Sequence, residues 1–94
     1  MVVITMEAQV AEEHWDTLVR AFAHAMKRRP DELLLSLLLH DSLDHTLWRV
    51  ISVWESEEAL EAYAQSHRVM PSAYAFHVIS IAPVATLGKV AAYA

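Results

Sequence analysis

The chain has 94 residues, a length that allows one domain. Twelve acidic residues against seven basic ones give a formal net charge of −5, which argues against nucleic acid or an anionic membrane as a partner, since both require basic surface. Cysteine is absent, and this excludes disulfides, thiolate nucleophiles and thiolate metal sites.

Two apolar segments bear on the cellular location of the protein. Residues 1–7 have no basic segment and too short an apolar run for a signal peptide. Together with the absence of cysteine, this predicts a cytoplasmic protein. Residues 69–88 contain no charged side chain, but Pro71, Pro83 and several polar residues interrupt them. We therefore expect a folded segment there and no membrane association.

The first predicted elements are a strand at Val2–Val10 and a helix at Ala11–Arg29. Apolar residues alternate along the strand, which indicates one apolar face. Pro30 ends the helix, because the residue before proline avoids α-helical geometry. Apolar side chains recur along the helix at helical spacing: Trp15, Leu18, Val19, Phe22 and Met26.

The middle of the chain predicts a hairpin followed by a second helix. Its strands are Leu33–His40 and Leu47–Trp54, joined by the polar turn Asp41–His45. Ser56 is a good N-cap for a helix from Glu57 to His67, whose first turn carries negative charge. The second strand thus passes almost directly into a capped helix.

The last part of the chain predicts a fourth strand at Tyr74–Ala82 and a tail of small and apolar residues at Val84–Ala94. Pro83 ends this strand or places it on an edge. The resulting order, β-α-β-β-α-β, predicts an α+β, ferredoxin-like fold. We expect a single domain over residues 1–94, in which a four-stranded antiparallel sheet carries two helices on one face.

Apolar residues occupy both faces of the predicted sheet. Leu33–Leu39 does not alternate cleanly, and Val50, Ile51 and Val53 also place apolar groups on both sides. Two helices cover only one face, and the second face of such a sheet is normally polar. The pattern therefore predicts a homodimer packed sheet against sheet.

Residues 37–63 resemble the antibiotic biosynthesis monooxygenase family. The resemblance is carried by a strand, a short acidic turn, a second strand ending in Trp-Glu-Ser at residues 54–56, and Glu-Ala-Leu-Glu-Ala at residues 58–62. It implies a dimeric α+β barrel of ferredoxin-like subunits. It also implies a cofactor-independent monooxygenase acting on a quinol or phenolic aromatic substrate, whose own anion reduces oxygen while polar groups hold it.

The resemblance also implies particular side chains. Quinol oxygenases of the family are expected to carry an asparagine four residues before the strand-ending tryptophan, where this chain has Val50 and no asparagine elsewhere. Haem-degrading members are expected to have an aromatic residue and then a histidine, at positions that correspond here to Tyr63 and Ala73. Quinol-oxygenase-like members carry a histidine near the helix end, close to the position of His67.

The candidate site lies between one strand face and one helix face. Its catalytic residues are predicted to be Tyr63 and His67, which could hydrogen-bond a phenolate, with His67 as a base near neutral pH. Trp54 could stack on a planar substrate. Alternatively, Trp54 is a core residue, Tyr63 lies at the helix edge and His67 is exposed. The predicted substrate-pocket lining is Val50, Ser52, Trp54 and Leu60.

The other histidines have less specific interpretations. His14 and His24 are interpreted as surface positions, and His77 as facing the inside of the barrel, facing a pocket, or forming a core hydrogen bond. The hairpin turn combines imidazoles and carboxylates that could hold a divalent metal: His40, Asp41, Asp44 and His45. Because Asp is expected in turns for backbone hydrogen bonding alone, no metal site is predicted there.

Two functional hypotheses follow. The first is a small cofactor-independent monooxygenase that binds a phenolic or quinol-type aromatic molecule. The second is a dimer of the same fold without catalysis, which holds a small ligand or serves a structural role.

Overall fold

The computed structural model describes all 94 residues, arranged as one four-stranded antiparallel sheet with three helices. The strand order is β2-β3-β1-β4. Together with the helix positions this confirms the predicted α+β, ferredoxin-like class. The strands are β1 Val2–Gln9, β2 Leu33–His40, β3 Leu47–Trp54 and β4 Val84–Lys89.

The helices are α1 Trp15–Met26, α2 Glu57–Ser66 and α3 Pro71–Val78, and a short 3-10 turn at Glu12–His14 leads into α1. Helix α2 begins as the sequence predicts: the Ser56 side chain accepts a hydrogen bond from the backbone N–H of Ala59 at 3.1 Å. None of the helices has the length and apolar character that a membrane crossing requires.

The prediction of a fourth strand at Tyr74–Ala82 is wrong, because most of that segment belongs to helix α3. Pro71 occupies the first turn of α3, where its fixed φ angle favours a helix and its missing N–H costs nothing. The helix buries one face at helical spacing, namely Pro71, Ser72, Ala75 and Phe76. Two hydrogen bonds close its C-terminus, from Ser80 N–H to the His77 carbonyl and from Ile81 N–H to the Phe76 carbonyl.

The prediction that residues 84–94 form a tail is also wrong in its first half. Val84–Lys89 forms β4 and pairs antiparallel with β1, opposite the edge that β3 occupies. The backbone N–H and carbonyl groups along that edge of β1 need partners, and β4 supplies them. Residues 90–94 lie beyond the sheet, starting with a hydrogen bond from Val90 N–H to the Met1 carbonyl at 3.0 Å.

The two faces of the sheet differ in what covers them. The helices cover the face that carries the alternating buried residues of β1 and β3, where the core lies: Val2, Ile4, Met6, Trp48, Val50, Ser52 and Trp54. We call the opposite side the open face. Register pairs Leu37 with Ile51 and Leu35 with Val53 there, and the two leucines are 45% and 48% exposed. Apolar side chains therefore occupy both faces, as the sequence predicts.

Candidate functional site

Four of the predicted pocket residues lie in the packed core. Val50 and Ser52 are completely buried, and Trp54 is 1% exposed. Leu60 of α2 is buried against the same side of the sheet. The Ser52 hydroxyl is within 2.8 Å of the Ser36 hydroxyl on the neighbouring strand, so each has a partner within the protein. Of these four residues, Trp54 alone borders a cavity.

Tyr63 is the centre of an aromatic stack on α2. On one side its ring centroid is 5.5 Å from that of Trp54, with the two rings tilted by 54°. On the other side His67 stacks on it almost in parallel, with centroids 3.7 Å apart and an interplanar angle of 3°. Nδ1 of His67 lies 3.1 Å from the Tyr63 carbonyl oxygen and 3.0 Å from the Ser66 hydroxyl. The structure thus brings together the two residues predicted to be catalytic.

A cavity of about 210 Å³ lies beside Tyr63, where α1, α2 and α3 meet. We call it the three-helix cavity. His24 and Arg28 reach it from α1 and the turn that follows, and Tyr74 reaches it from α3. The rings of His24 and Tyr74 have centroids 6.0 Å apart. The rest of the lining is mostly apolar: Ala25, Val69 and Pro71.

Tyr63 also borders a second cavity, of about 220 Å³, toward β3. Trp54, Glu32 and Ser66 contribute to its lining. Tyr63 is thus a wall between two spaces, whereas His67 borders neither of them. Its exposed imidazole lies behind Tyr63 and can fix the position of that ring.

The two cavities differ in charge. The lining of the three-helix cavity contains Arg28, His24 and two phenols but no carboxylate. Arg28 has no acidic partner, since the cations of the chain's ion pairs are His14, Arg49 and Lys89. The second cavity contains Glu32. An anionic ligand is therefore favoured in the three-helix cavity and disfavoured in the second one.

The hairpin turn uses its carboxylates for its own structure. Asp41 accepts hydrogen bonds from the backbone N–H groups of Leu43 and Asp44, and from Arg49 at 2.8 Å. The Asp44 N–H and the Arg49 guanidinium together lower the pKa of Asp41 to about 2. The imidazole of His40 stacks on Trp48, with centroids 4.0 Å apart, and its Nε2 is 2.6 Å from the His45 carbonyl. No group of three or more acidic, histidine or cysteine side chains could hold a metal ion.

Sequence reasoning missed His24, Arg28 and Tyr74. His24 and Arg28 are four residues apart and share one face of the helical turn, a spacing that could have linked them. The sequence predicts a strand for Tyr74 and His77, whereas both lie on α3. Only the packing of three helices brings these side chains to Tyr63.

Several solved structures have the same fold as this chain. A protein assigned to the antibiotic biosynthesis monooxygenases from Deinococcus radiodurans superposes with a TM-score of 0.76 at 16% identity, over 100% of this chain and 96% of that one. The haem degrader MhuD from Mycobacterium tuberculosis, with two haems bound in its active site, superposes with a TM-score of 0.70 at 23% identity. That match covers 100% of this chain and 99% of MhuD. SnoaB, a cofactor-independent oxygenase from Streptomyces nogalater, superposes with a TM-score of 0.69 at 16% identity, over 98% of this chain and 94% of SnoaB.

Sequence comparison gives the family. No curated protein sequence matches the chain. The family model described as antibiotic biosynthesis monooxygenase matches residues 1–77, which include every element from β1 to most of α3. The chain therefore belongs to the antibiotic biosynthesis monooxygenase family.

Proposed function

We propose that this protein is a cofactor-independent monooxygenase that binds a small phenolic or quinol-type aromatic substrate in the three-helix cavity. The observation that carries the proposal is the meeting of Arg28, His24, Tyr63 and Tyr74 at one cavity without a carboxylate. A phenolate needs a cation and hydrogen-bond donors, and these side chains supply both. The apolar remainder of the lining suits an aromatic ring.

The proposed chemistry needs a base and a site for the substrate anion. His24 is the imidazole in the lining and takes the proton, while the Arg28 guanidinium stabilises the anion that forms. The anion then reduces oxygen: a ring C–H carbon conjugated with the oxyanion forms a C–O bond to O₂, and the resulting peroxide takes up the proton held by His24. Loss of the remaining hydrogen from that carbon breaks the O–O bond, so one oxygen atom stays in the product as a carbonyl and the other leaves as water. The substrate supplies all the electrons.

In this proposal Tyr63 binds the substrate and His67 positions Tyr63. The parallel stack with centroids 3.7 Å apart holds the Tyr63 ring against the cavity. The predicted pocket residues Val50, Ser52 and Leu60 support the site from the core, and Trp54 limits the motion of Tyr63 from the other side.

Oxygen uptake with a panel of quinols and anthrone-type phenols tests the proposal. We expect Arg28→Met to lower kcat/KM by about tenfold or more, because it removes a charge-assisted hydrogen bond to the anion. His67→Ala should lower it less, through a looser Tyr63. Arg29→Met is the matched control, since Arg29 lies outside the cavity lining. Absence of uptake with every substrate would refute the activity.

One observation favours the second candidate function, a dimer of the same fold without catalysis that holds a small ligand or serves a structural role. The cavities on either side of Tyr63 measure about 210 and 220 Å³, whereas ligand sites usually measure about 300–1,000 Å³. Binding of 1-naphthol, followed by tryptophan fluorescence, with no oxygen uptake from that or any quinol would support this function over the first.

We further propose that two copies pair through the open face. Leu35, Leu37 and Leu39 are 48%, 45% and 38% exposed there. Arg49 lies among them, bound to Glu7 at 3.1 Å and Asp41 at 2.8 Å, so its charge is already compensated. A stable interface hides about 800 Å² per partner, which a four-stranded face can supply.

A further inference from the structure

The largest cavity of the chain lies outside the candidate site. It measures about 480 Å³ and lies between the α2–α3 connection and the loop from α3 to β4. It shares only Val69 with the three-helix cavity. Its volume falls within the range of about 300–1,000 Å³ usual for ligand sites. Its hydrophobic lining comes from Val69, Met70, Ala73, Ile81, Ala82 and Pro83.

Two cationic or protonatable side chains border this apolar space. They are Arg68, next to the end of α2, and His77, on the last turn of α3. Neither is paired with a carboxylate, since the ion pairs of the chain involve other cations. No carboxylate lines the cavity. A cation that has no partner in the protein is available to an anion from solution.

The distribution of charge along the chain strengthens this point. The protein carries twelve acidic residues and a net charge of −5, yet residues 62–94 contain no aspartate or glutamate. The cavity is formed entirely by residues of that segment. It is therefore a locally cationic region on an acidic protein, which favours an anion there over the rest of the surface.

The wall formed by the α3–β4 loop is held in place by the backbone. Ser80 has a φ of 59° and donates its N–H to the His77 carbonyl at 3.0 Å, while Ile81 donates to the Phe76 carbonyl at 2.9 Å. These two bonds hold the backbone at Ser80 and Ile81, and so fix the position of Ile81 on the cavity wall. The space is thus bounded by an ordered turn on one side and by α3 on another.

We infer that this cavity binds a small organic anion with an apolar body, of the class of medium-chain carboxylates. The carboxylate lies at Arg68 and His77, which donate hydrogen bonds to it. The hydrocarbon chain packs on Val69, Met70 and Ile81, which are half-buried in the free protein. The site is separate from the proposed oxygenase chemistry and does not depend on it.

Titration of the ¹⁵N-labelled protein with octanoate, followed by amide chemical shifts, tests the inference. We expect saturable shifts confined to residues 68–70, 73 and 77–83. Arg68→Met should raise the dissociation constant by about tenfold, because a charge-assisted hydrogen bond is lost. His77→Phe should also raise it. Arg20→Met, an exposed arginine of α1 outside the cavity, should leave it unchanged.

Octanol is the control for charge and butyrate the control for the apolar body, and both should bind more weakly than octanoate. Equal binding of octanol would overturn the inference, since no anion would then be recognised. Shifts centred on Tyr63 and Arg28, or no saturable shift, would also overturn it. All these readouts are independent of oxygen uptake, so they separate this site from the proposed enzyme activity.

Discussion

At the scale of single residues, Ser52 shows how a predicted pocket residue can have a different role. It is completely buried between nonpolar neighbours on β3, and its hydroxyl lies 2.8 Å from that of Ser36 on β2. A buried hydroxyl requires such a partner. The pair therefore ties β2 to β3 within the core.

We expect Ser52→Ala to lower the free energy of unfolding by about 1–2 kcal/mol, because it leaves the Ser36 hydroxyl without its partner. Urea denaturation monitored by circular dichroism measures this. Ser42→Ala, in the exposed hairpin turn, is the matched control and should change nothing. An unchanged midpoint for Ser52→Ala would show that the bond contributes no net stability.

Ser80 is the one non-glycine residue with a positive φ angle, at 59°. It occupies the position after helix α3 where glycine is the usual residue, because a side chain in this conformation costs about 1–2 kcal/mol. We expect Ser80→Gly to stabilise the protein by about 0.5–1 kcal/mol after the added flexibility of the unfolded chain is subtracted. Thermal unfolding measures the gain, and Ser80→Ala, which keeps the Cβ atom, should show none.

At the scale of elements, the sequence predicts element boundaries best where side chains hydrogen-bond to the nearby backbone, as they do in turns and helix caps. The boundaries predicted for β2 and β3 agree with the structure, because Asp41 and Asp44 mark the turn between them. Ser56 predicts the start of helix α2, and its side chain does cap that helix. Local hydrogen bonding specifies these features, so a single sequence reveals them.

The errors concern α3 and β4, where local signals were weak. The side chains of Tyr74–Val78 are apolar or aromatic and do not alternate between an apolar and a polar face at helical spacing. Ser80 occupies the position after the helix where a glycine would have indicated a helix end. Strand β4 was missed because its pairing with β1 depends on a distant edge of the sheet. The three-helix cavity escaped sequence reasoning for the same reason, since Arg28 and Tyr74 meet only after folding.

The hairpin between β2 and β3 also gives a pH-dependent stability. The Asp44 N–H and Arg49 lower the pKa of Asp41 from 3.8 to about 2. A carboxyl group with a lower pKa in the folded state contributes stability above its unfolded pKa and loses it as the pH falls through its folded pKa. We expect stability to fall as the pH is lowered from about 4 to about 2.

Asp41→Asn isolates this contribution. The variant should be less stable than the wild type at neutral pH, and the difference should shrink as the pH falls from 3.8 to about 2. Urea midpoints at a series of pH values measure it. Asp31→Asn, at an exposed position before β2, is the control for the general effect of removing a carboxylate. A constant difference across the pH range would contradict the assignment.

At the scale of the whole molecule, the sheet divides the protein into a side covered by helices and an open face. The helices and the three cavities lie on the covered side of the sheet or next to its edge. The open face carries leucines and the ion pairs of Arg49 with Glu7 and Asp41. A ligand site that does not use the open face leaves that face available for a second subunit. Pairing and ligand binding can then be tested independently of each other.

The proposed dimer makes the last prediction. Leu37 is 45% exposed on the open face and pairs in register with Ile51. Leu37→Lys would bury an unpaired charge in the interface, which costs several kcal/mol, so the variant should be monomeric. Light scattering should give about twice the 10.6 kDa chain mass for the wild type and one chain mass for the variant. Leu43→Lys, in the turn and 97% exposed, should remain dimeric. A monomeric wild type at micromolar concentration would show that the proposed dimer does not form. A dimeric Leu37→Lys variant would show that the subunits make contact through another surface.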